Sequence, residues 1–311
     1  MESINRMAVE LVDEALDFAD ELNVAPYELD SGATVLDFGI EVDGGTEAGV
    51  LLAEIQTAGL ATVTTRMGRV DGAPVPHVEL STDHPGIALL CSQKAGWELD
   101  FDVYDGLGSG PARALVGEET EFEAIGYYDE FDLTVLAVES IELPDDRVAK
   151  HVADLAGVEE SGVFLPAYAL GSIAGSVAAG ARAPELAVWQ LFEAGYDPND
   201  VISVSGSAPV APVGYDESEA MARTNDAVAY GGEVHLTVAT DDEDAFEQIT
   251  SDAADEFDQP FGEIFEAHDW DFEALPESVF GPAAATVDVL DGPTYRFGGR
   301  NEELLAESFG F

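Results

Sequence analysis

The chain has 311 residues, 64 of them acidic against 11 basic, for a formal net charge of −53. Its two lysines, Lys94 and Lys150, and nine arginines are too few to neutralise a phosphate track, which excludes a nucleic-acid binder. A 46% hydrophobic share supplies core for one large or two ordinary domains and excludes an acidic disordered chain.

Residues 4–22 place Met7, Leu11, Ala15, Phe18 and Leu22 at three- and four-residue steps with acids between them, which predicts an amphipathic opening helix. The same acids interrupt any long apolar run near the N-terminus, so no signal peptide is expected there. Residues 35–40 read as a strand, Gly44-Gly45 as a turn, 47–58 as a helix or mixed segment, and 60–65 as a β-branched strand. Further on, 133–138 reads as a buried strand, 145–156 as a helix, and 163–165 and 201–204 as strands. A strand at 233–239 leads to a helix from Asp242, and 283–289 with 294–297 forms a closing hairpin. Interleaved strands and helices predict an α/β class. No window holds the ~18 apolar residues of a membrane span, so no membrane association is expected.

Sliding the chain on itself by 99 residues aligns Pro85 with Pro184, Ala88 with Ala187, Ala95-Gly96-Trp97 with Ala194-Gly195-Tyr196. One residue out of that register, Gly108-Ser109-Gly110-Pro111 meets Gly206-Ser207-Ala208-Pro209. Each copy reads as a proline-started helix, a strand, and a small-residue turn ending in proline. Duplication and chance similarity among Gly- and Ala-rich segments both account for this. Duplication would give two α/β domains with an active-site cleft between them, divided near 1–130 and 131–311 or with the chain crossing back from one to the other.

The charge excess opposes the compact state in dilute buffer. At about 1 M ionic strength the screening length falls to about 3 Å, so the acids, spread along the chain rather than massed at one end, suit the cytoplasm of a salt-in halophile. The one cysteine, Cys91, lies in the apolar run 87–91 and is expected to be a buried small hydrophobe. It permits no intramolecular disulfide and no multi-thiolate metal site. The five histidines lack metal-ligand spacing, so no metal is expected.

The sharpest local feature is Arg182-Ala183-Pro184-Glu185. Proline favours the first helical positions, so Pro184 should open a helix with Arg182 outside it and Glu185 in its first turn. Two readings stand. Either Glu185 complements the helix dipole with Arg182 paired to it, or the pair holds a water for attack at a cleft, as the scarcity of arginine suggests. Scarcity also singles out Lys94, either a cation at a helix C-terminus or a ligand contact. Gly108, Ser109, Gly110 and Arg113 could form an anion-binding nest, although no Walker A or Rossmann pattern is met. Arg223 and Asn225, followed by Tyr230-Gly231-Gly232, read as a polar loop that either lines a polar ring system or makes a structural turn.

Taken in order, GGTEAG (44–49), GLATV (59–63), TDHP (82–85), QKAGW (93–97), GSGPARA (108–114), ELPDD (142–146), AR-x-x-E (181–185), MARTND with YGG (221–232) and ESFGF (307–311) resemble the methenyltetrahydromethanopterin cyclohydrolases of archaeal one-carbon metabolism. The resemblance covers essentially the whole chain, and the acidic surface would make this a halophilic archaeal member. It implies two α/β domains, a homotrimer, and no metal or redox cofactor, the pterin carrier being the substrate. It also implies that Arg182 and Glu185 position and activate the attacking water with Lys94 nearby. A folate carrier, or a non-catalytic pterin binder, are the rival expectations.

Overall fold

The computed structural model describes residues 2–101, 104–254, 257–268, 275 and 277–311. The chain opens with α1 (Ile4–Asp17), α2 (Ala19–Leu22), β1 (Ala25–Glu28), β2 (Thr34–Gly39) and α3 (Thr46–Gln56). Two long strands follow, β3 (Thr62–Val70) and β4 (Ala73–Thr82), then a π-helical segment, Gly86–Gln93. Next come β5 (Trp97–Glu98), β6 (Leu107–Ser109), α4 (Arg113–Val116), α5 (Thr120–Ile125), β7 (Thr134–Val135) and β8 (Ala137–Glu139). These are followed by α6 (Asp146–Ala156), β9 (Val163–Tyr168), α7 (Ile173–Gly180) and α8 (Ala183–Glu193). The remainder is β10 (Val201–Pro209), α9 (Glu217–Gly231), β11 (Glu233–Val238), α10 (Glu243–Phe246), α11 (Phe261–Ala267), β12 (Ala284–Val289), β13 (Thr294–Gly298) and α12 (Glu302–Phe309).

The α/β class expected from the sequence is the class observed. The division is not one cut near 130 but the alternative, a chain that crosses back. The chain forms two compact units, Met1–Thr62 with Ile87–Ala178, and Val63–Gly86 with Ala179–Phe311, so each is built from two stretches of sequence. The reason is the β3–β4 hairpin, whose residues 77–82 pair with β10 rather than with strands nearby in sequence. Its turn, Asp71-Gly72, has positive φ at both positions, the tight turn geometry that suits the twist of the flanking strands.

The first unit carries a sheet in the order β1-β2-β9-β8-β6-β5, with β7 also on β9. Its centre is parallel (β2, β9, β8) and its margins antiparallel. Val35, Leu136, Val138, Leu165 and Ala167 pack with Val148, Ala149 and Val152 of α6 into one core. Asp145 caps α6 by accepting from the backbone N–H groups of Arg147 and Val148. The inward stripe of α1 is Ile4, Ala8, Val12 and Ala15, which shares only Ala15 with the expected one. Met7 and Leu11 flank that stripe, and Phe18, which ends the helix, is exposed.

The second unit carries a sheet in the order β13-β12-β11-β10-β4-β3. The closing hairpin is observed as expected, with Ala284 opposite Gly298. Tyr230 of α9 and Leu305 of α12 share a core with Phe261, Ile264 and Phe265 of α11.

The internal comparison finds unequal partners. Proline 85 precedes a π-helical segment, whereas Pro184 lies inside the first turn of an α-helix. Gly206–Pro209 is not a turn but the end of β10, with Gly206 and Ser207 paired on both sides and Ala208 and Pro209 paired with β4, while Gly110 does turn, with φ +104. Cys91 is buried within the π-helical segment, and burial pushes its thiol up to about 12. Among the described residues no helix is long and apolar enough to cross a membrane.

Candidate active site

Arg182 is the N-cap of α8, Pro184 stands in the first turn, and Glu185 follows it, the arrangement the sequence predicts. The Arg182 carbonyl accepts from the Leu186 N–H at 2.9 Å, closing the first helical hydrogen bond. The start of α8 is seated on β10. A methyl group at Gly206 would come within 2.8 Å of Pro184 Cγ, so the absence of a side chain there lets the helix approach the strand. Arg182 Nε donates to Glu185 Oε2 at 2.9 Å, the Glu185 side chain being 1% exposed and that of Arg182 26%. A buried carboxylate held by a guanidinium that itself reaches solvent is more than an ornament to the helix dipole. Burial removes water from the carboxylate, and the ion pair fixes its direction. Chemically, such a group can take a proton from a water that it also orients.

Lys94 belongs to the first unit, immediately after the π-helical segment. Its Nζ lies 2.8 Å from Glu121 Oε1 and 3.6 Å from Glu119 Oε2. Burial alone would push the Glu121 carboxyl up, but the Lys94 hydrogen bond and charge, a backbone N–H and Arg113 outweigh it and hold the group below its ordinary value.

Sequence reasoning placed Gly108, Ser109, Gly110 and Arg113 in an anion nest. The structure spends their donors inside the unit. Gly108 pairs with Trp97 and Val138, and the Gly110 N–H donates to the Ser92 carbonyl at 2.7 Å. Ser109 Oγ accepts from Gln56 Nε2 at 3.0 Å. Arg113 is wholly buried. Its Nε donates to Glu119 Oε1 at 2.9 Å, and Nη1 reaches the carbonyls of Leu90 and Lys94. Its guanidinium points into the unit and not toward an external anion.

Arg223 and Asn225 are not on a loop. They lie in α9, whose start was legible as Asp216 followed three residues later by Glu219, a capping pattern. Asp216 accepts from the Glu219 N–H at 2.9 Å, and the Glu219 carboxylate in turn accepts from the Tyr215 N–H at 2.6 Å. Arg223 Nε donates to the Ser308 carbonyl at 3.0 Å and Nη2 pairs with Glu219 at 2.8 Å, tying α9 to the C-terminal helix. Asn225 Nδ2 donates to the Met221 carbonyl one turn back at 2.8 Å.

Sequence reasoning missed Glu119 and Glu121, the carboxylates on Lys94, because nothing separates them from the other acids of so acidic a chain. It also missed Asp226, buried in α9, which accepts from the Phe261 N–H at 2.9 Å and from Ser308 Oγ at 2.6 Å. Burial pushes its carboxyl up to about 6 against those two hydrogen bonds. Among the described residues no three His, Cys, Asp or Glu side chains converge as metal ligands would.

Residues 3–309 match the family model described as Cyclohydrolase (MCH). A "Methenyltetrahydromethanopterin cyclohydrolase" of Halobacterium salinarum is 58% identical over 310 residues, covering 100% of this chain and 99% of that protein. Proteins of the same name from Methanospirillum hungatei and Methanocaldococcus jannaschii are 38% and 37% identical, each over 100% of this chain and at least 99% of their own length.

Proposed function

The chain belongs to the Cyclohydrolase (MCH) family, and from that membership we propose that it catalyses the reversible hydrolysis of the methenyl bridge of 5,10-methenyltetrahydromethanopterin to the N5-formyl form. The full-length likeness to relatives of that name carries this reading. The Arg182–Glu185 pair supplies its chemistry.

The methenyl bridge is a cation spread over two ring nitrogens, so its carbon already accepts a nucleophile. The protein has to orient a water and remove its proton. In this reading Glu185 takes that proton as the water oxygen bonds to the bridge carbon, a contribution of about 10²–10⁴ in rate for a positioned base. Arg182 holds the carboxylate in place, and placement outweighs any loss of basicity because the electrophile is already activated. The tetrahedral carbinolamine then collapses, its hydroxyl proton leaves, one carbon–nitrogen bond breaks, and the departing nitrogen takes up a proton. Lys94 orients the substrate or assists that departure. The reverse reaction uses the same groups. The carrier is the substrate, and the scheme calls on no metal or redox cofactor.

The reading extends to a homotrimer, as the family resemblance implies, and to a cytoplasmic location. The charge of −53 supports the latter, since it suits a salt-rich cell interior. The test mixes the purified chain, in molar KCl, with the methenyl form of tetrahydromethanopterin and separately with that of tetrahydrofolate, following loss of the ultraviolet band. Decay with the methanopterin form is expected. Decay with the folate form alone overturns the carrier, and decay with neither overturns the enzyme. Light scattering in the same buffer tests the trimer.

A further inference from the structure

Two motifs of the first unit, residues 93–97 and 108–114, meet in one cluster of four charges. Lys94 pairs with Glu121 and Glu119, and Arg113 pairs with Glu119. The Arg113 side chain is 0% exposed and that of Glu121 5%, whereas those of Lys94 and Glu119 are 18% and 23% exposed. Two positive and two negative groups thus close on one another, with the sealed members behind and Lys94 toward the outside. Arg113 also donates to the Leu90 carbonyl at 3.2 Å and the Lys94 carbonyl at 2.6 Å, so the cluster that holds the lysine's ammonium also holds its backbone. The segment so pinned ends a π-helix, a rare geometry frequent at functional sites. Gly96 leaves the room: a methyl group there would lie 2.6 Å from Arg113 Nε and 2.7 Å from Glu119 Oε2.

A lysine linked to a surface carboxylate remains mobile and gains little stability. Burying one partner of such a link carries a desolvation cost that a loose surface contact does not offset. The cost is understandable if the direction of the ammonium matters. We propose that Glu121, backed by Arg113 and Glu119, is a positioning residue that fixes the Lys94 ammonium toward the substrate. This rests on the reading of Lys94 as a substrate-facing group.

The chain's two lysines make the test direct. Lysine labelled with ¹³C at Cε gives one site each for Lys94 and Lys150 in the full chain in molar KCl, and Lys150→Arg assigns them. In the wild type the two Lys94 Hε protons are expected to be inequivalent, as for a fixed side chain, and to average in Glu121→Gln. In parallel, kcat/KM for the methenyl carrier is expected to fall about ten- to hundredfold in Glu121→Gln and less in Glu121→Asp. The double variant Glu121→Gln with Lys94→Met should lose no more than Lys94→Met alone, because Glu121 acts through the lysine. Multiplying losses, or a Lys94 signal unchanged in Glu121→Gln, overturn the proposal. Should Glu121→Gln not fold, Glu121→Asp and Glu119→Gln carry the same comparisons. A wild-type chain inactive on the carrier removes the functional reading itself, while the Lys94 signal still reports whether Glu121 holds the ammonium.

Discussion

Arg182 and Glu185 form an ion pair across the first turn of α8, in which the carboxylate is buried and the guanidinium bridges it to the surface. Proline between them stiffens the turn without separating them. Glu185→Gln keeps the shape and removes the base, so turnover should fall by about 10²–10⁴ with circular dichroism unchanged. Near-wild-type turnover would take Glu185 out of the mechanism.

Arg182→Lys keeps the charge but replaces a planar fork with a point charge on a flexible stem. A loss of about tenfold or more in kcat is expected from misplacement of the carboxylate. Full activity in this variant would show that charge alone suffices.

Asp226 gives a pH dependence with a definite sign. Burial raises its carboxyl from 3.8 to about 6, so the folded state prefers the protonated form. That contribution to stability is complete below pH 3.8 and is lost as pH rises through about 6. Asp226→Asn can still accept from the Phe261 N–H and contact Ser308 Oγ, without the charge. The stability of Asp226→Asn relative to wild type should therefore increase by about 1 kcal/mol between about pH 5 and 7.5, read from urea midpoints in molar salt. A difference independent of pH would refute the assignment.

Gly96→Ala crowds the buried guanidinium of Arg113, which is fixed by carbonyls and has nowhere to retreat. A loss of about 1–3 kcal/mol is expected for overpacking of this kind, seen as a lower thermal midpoint. An unchanged midpoint would mean that the cluster yields easily.

With a net charge of −53, the thermal midpoint should rise steeply between about 0.1 and 2 M KCl as screening shortens. A midpoint independent of salt would contradict the halophilic reading of the composition.

Much of the fold was legible because it rests on local signals. Proline 184 announced the start of α8, and the short runs 283–289 and 294–297 announced the β12–β13 hairpin. The contact of Arg182 with Glu185 was legible for the same reason, since residues three apart at a helix start are neighbours, whereas the role proposed for the pair comes from the family resemblance. What was not legible depends on pairings distant in sequence. Arg113 looked like an anion ligand until its partners, Leu90, Lys94 and Glu119, were in place around it. Arg223 and Asn225 lie on a helix and not the expected loop, because the cap at Asp216 starts α9 and the helix runs on to Gly231. Nor does any local pattern say that β4 pairs with β10.

That last pairing governs the order in which the protein can assemble. Thr82 lies opposite Val204, 122 residues further along. At about 5–20 residues per second of synthesis, the hairpin waits roughly 6–24 s outside the ribosome before its partner emerges. The intervening residues meanwhile complete the first unit. During that delay the charged side chains Arg66, Arg69 and Glu79, with Pro74 and Pro76 in β4, discourage mispairing with other nascent chains.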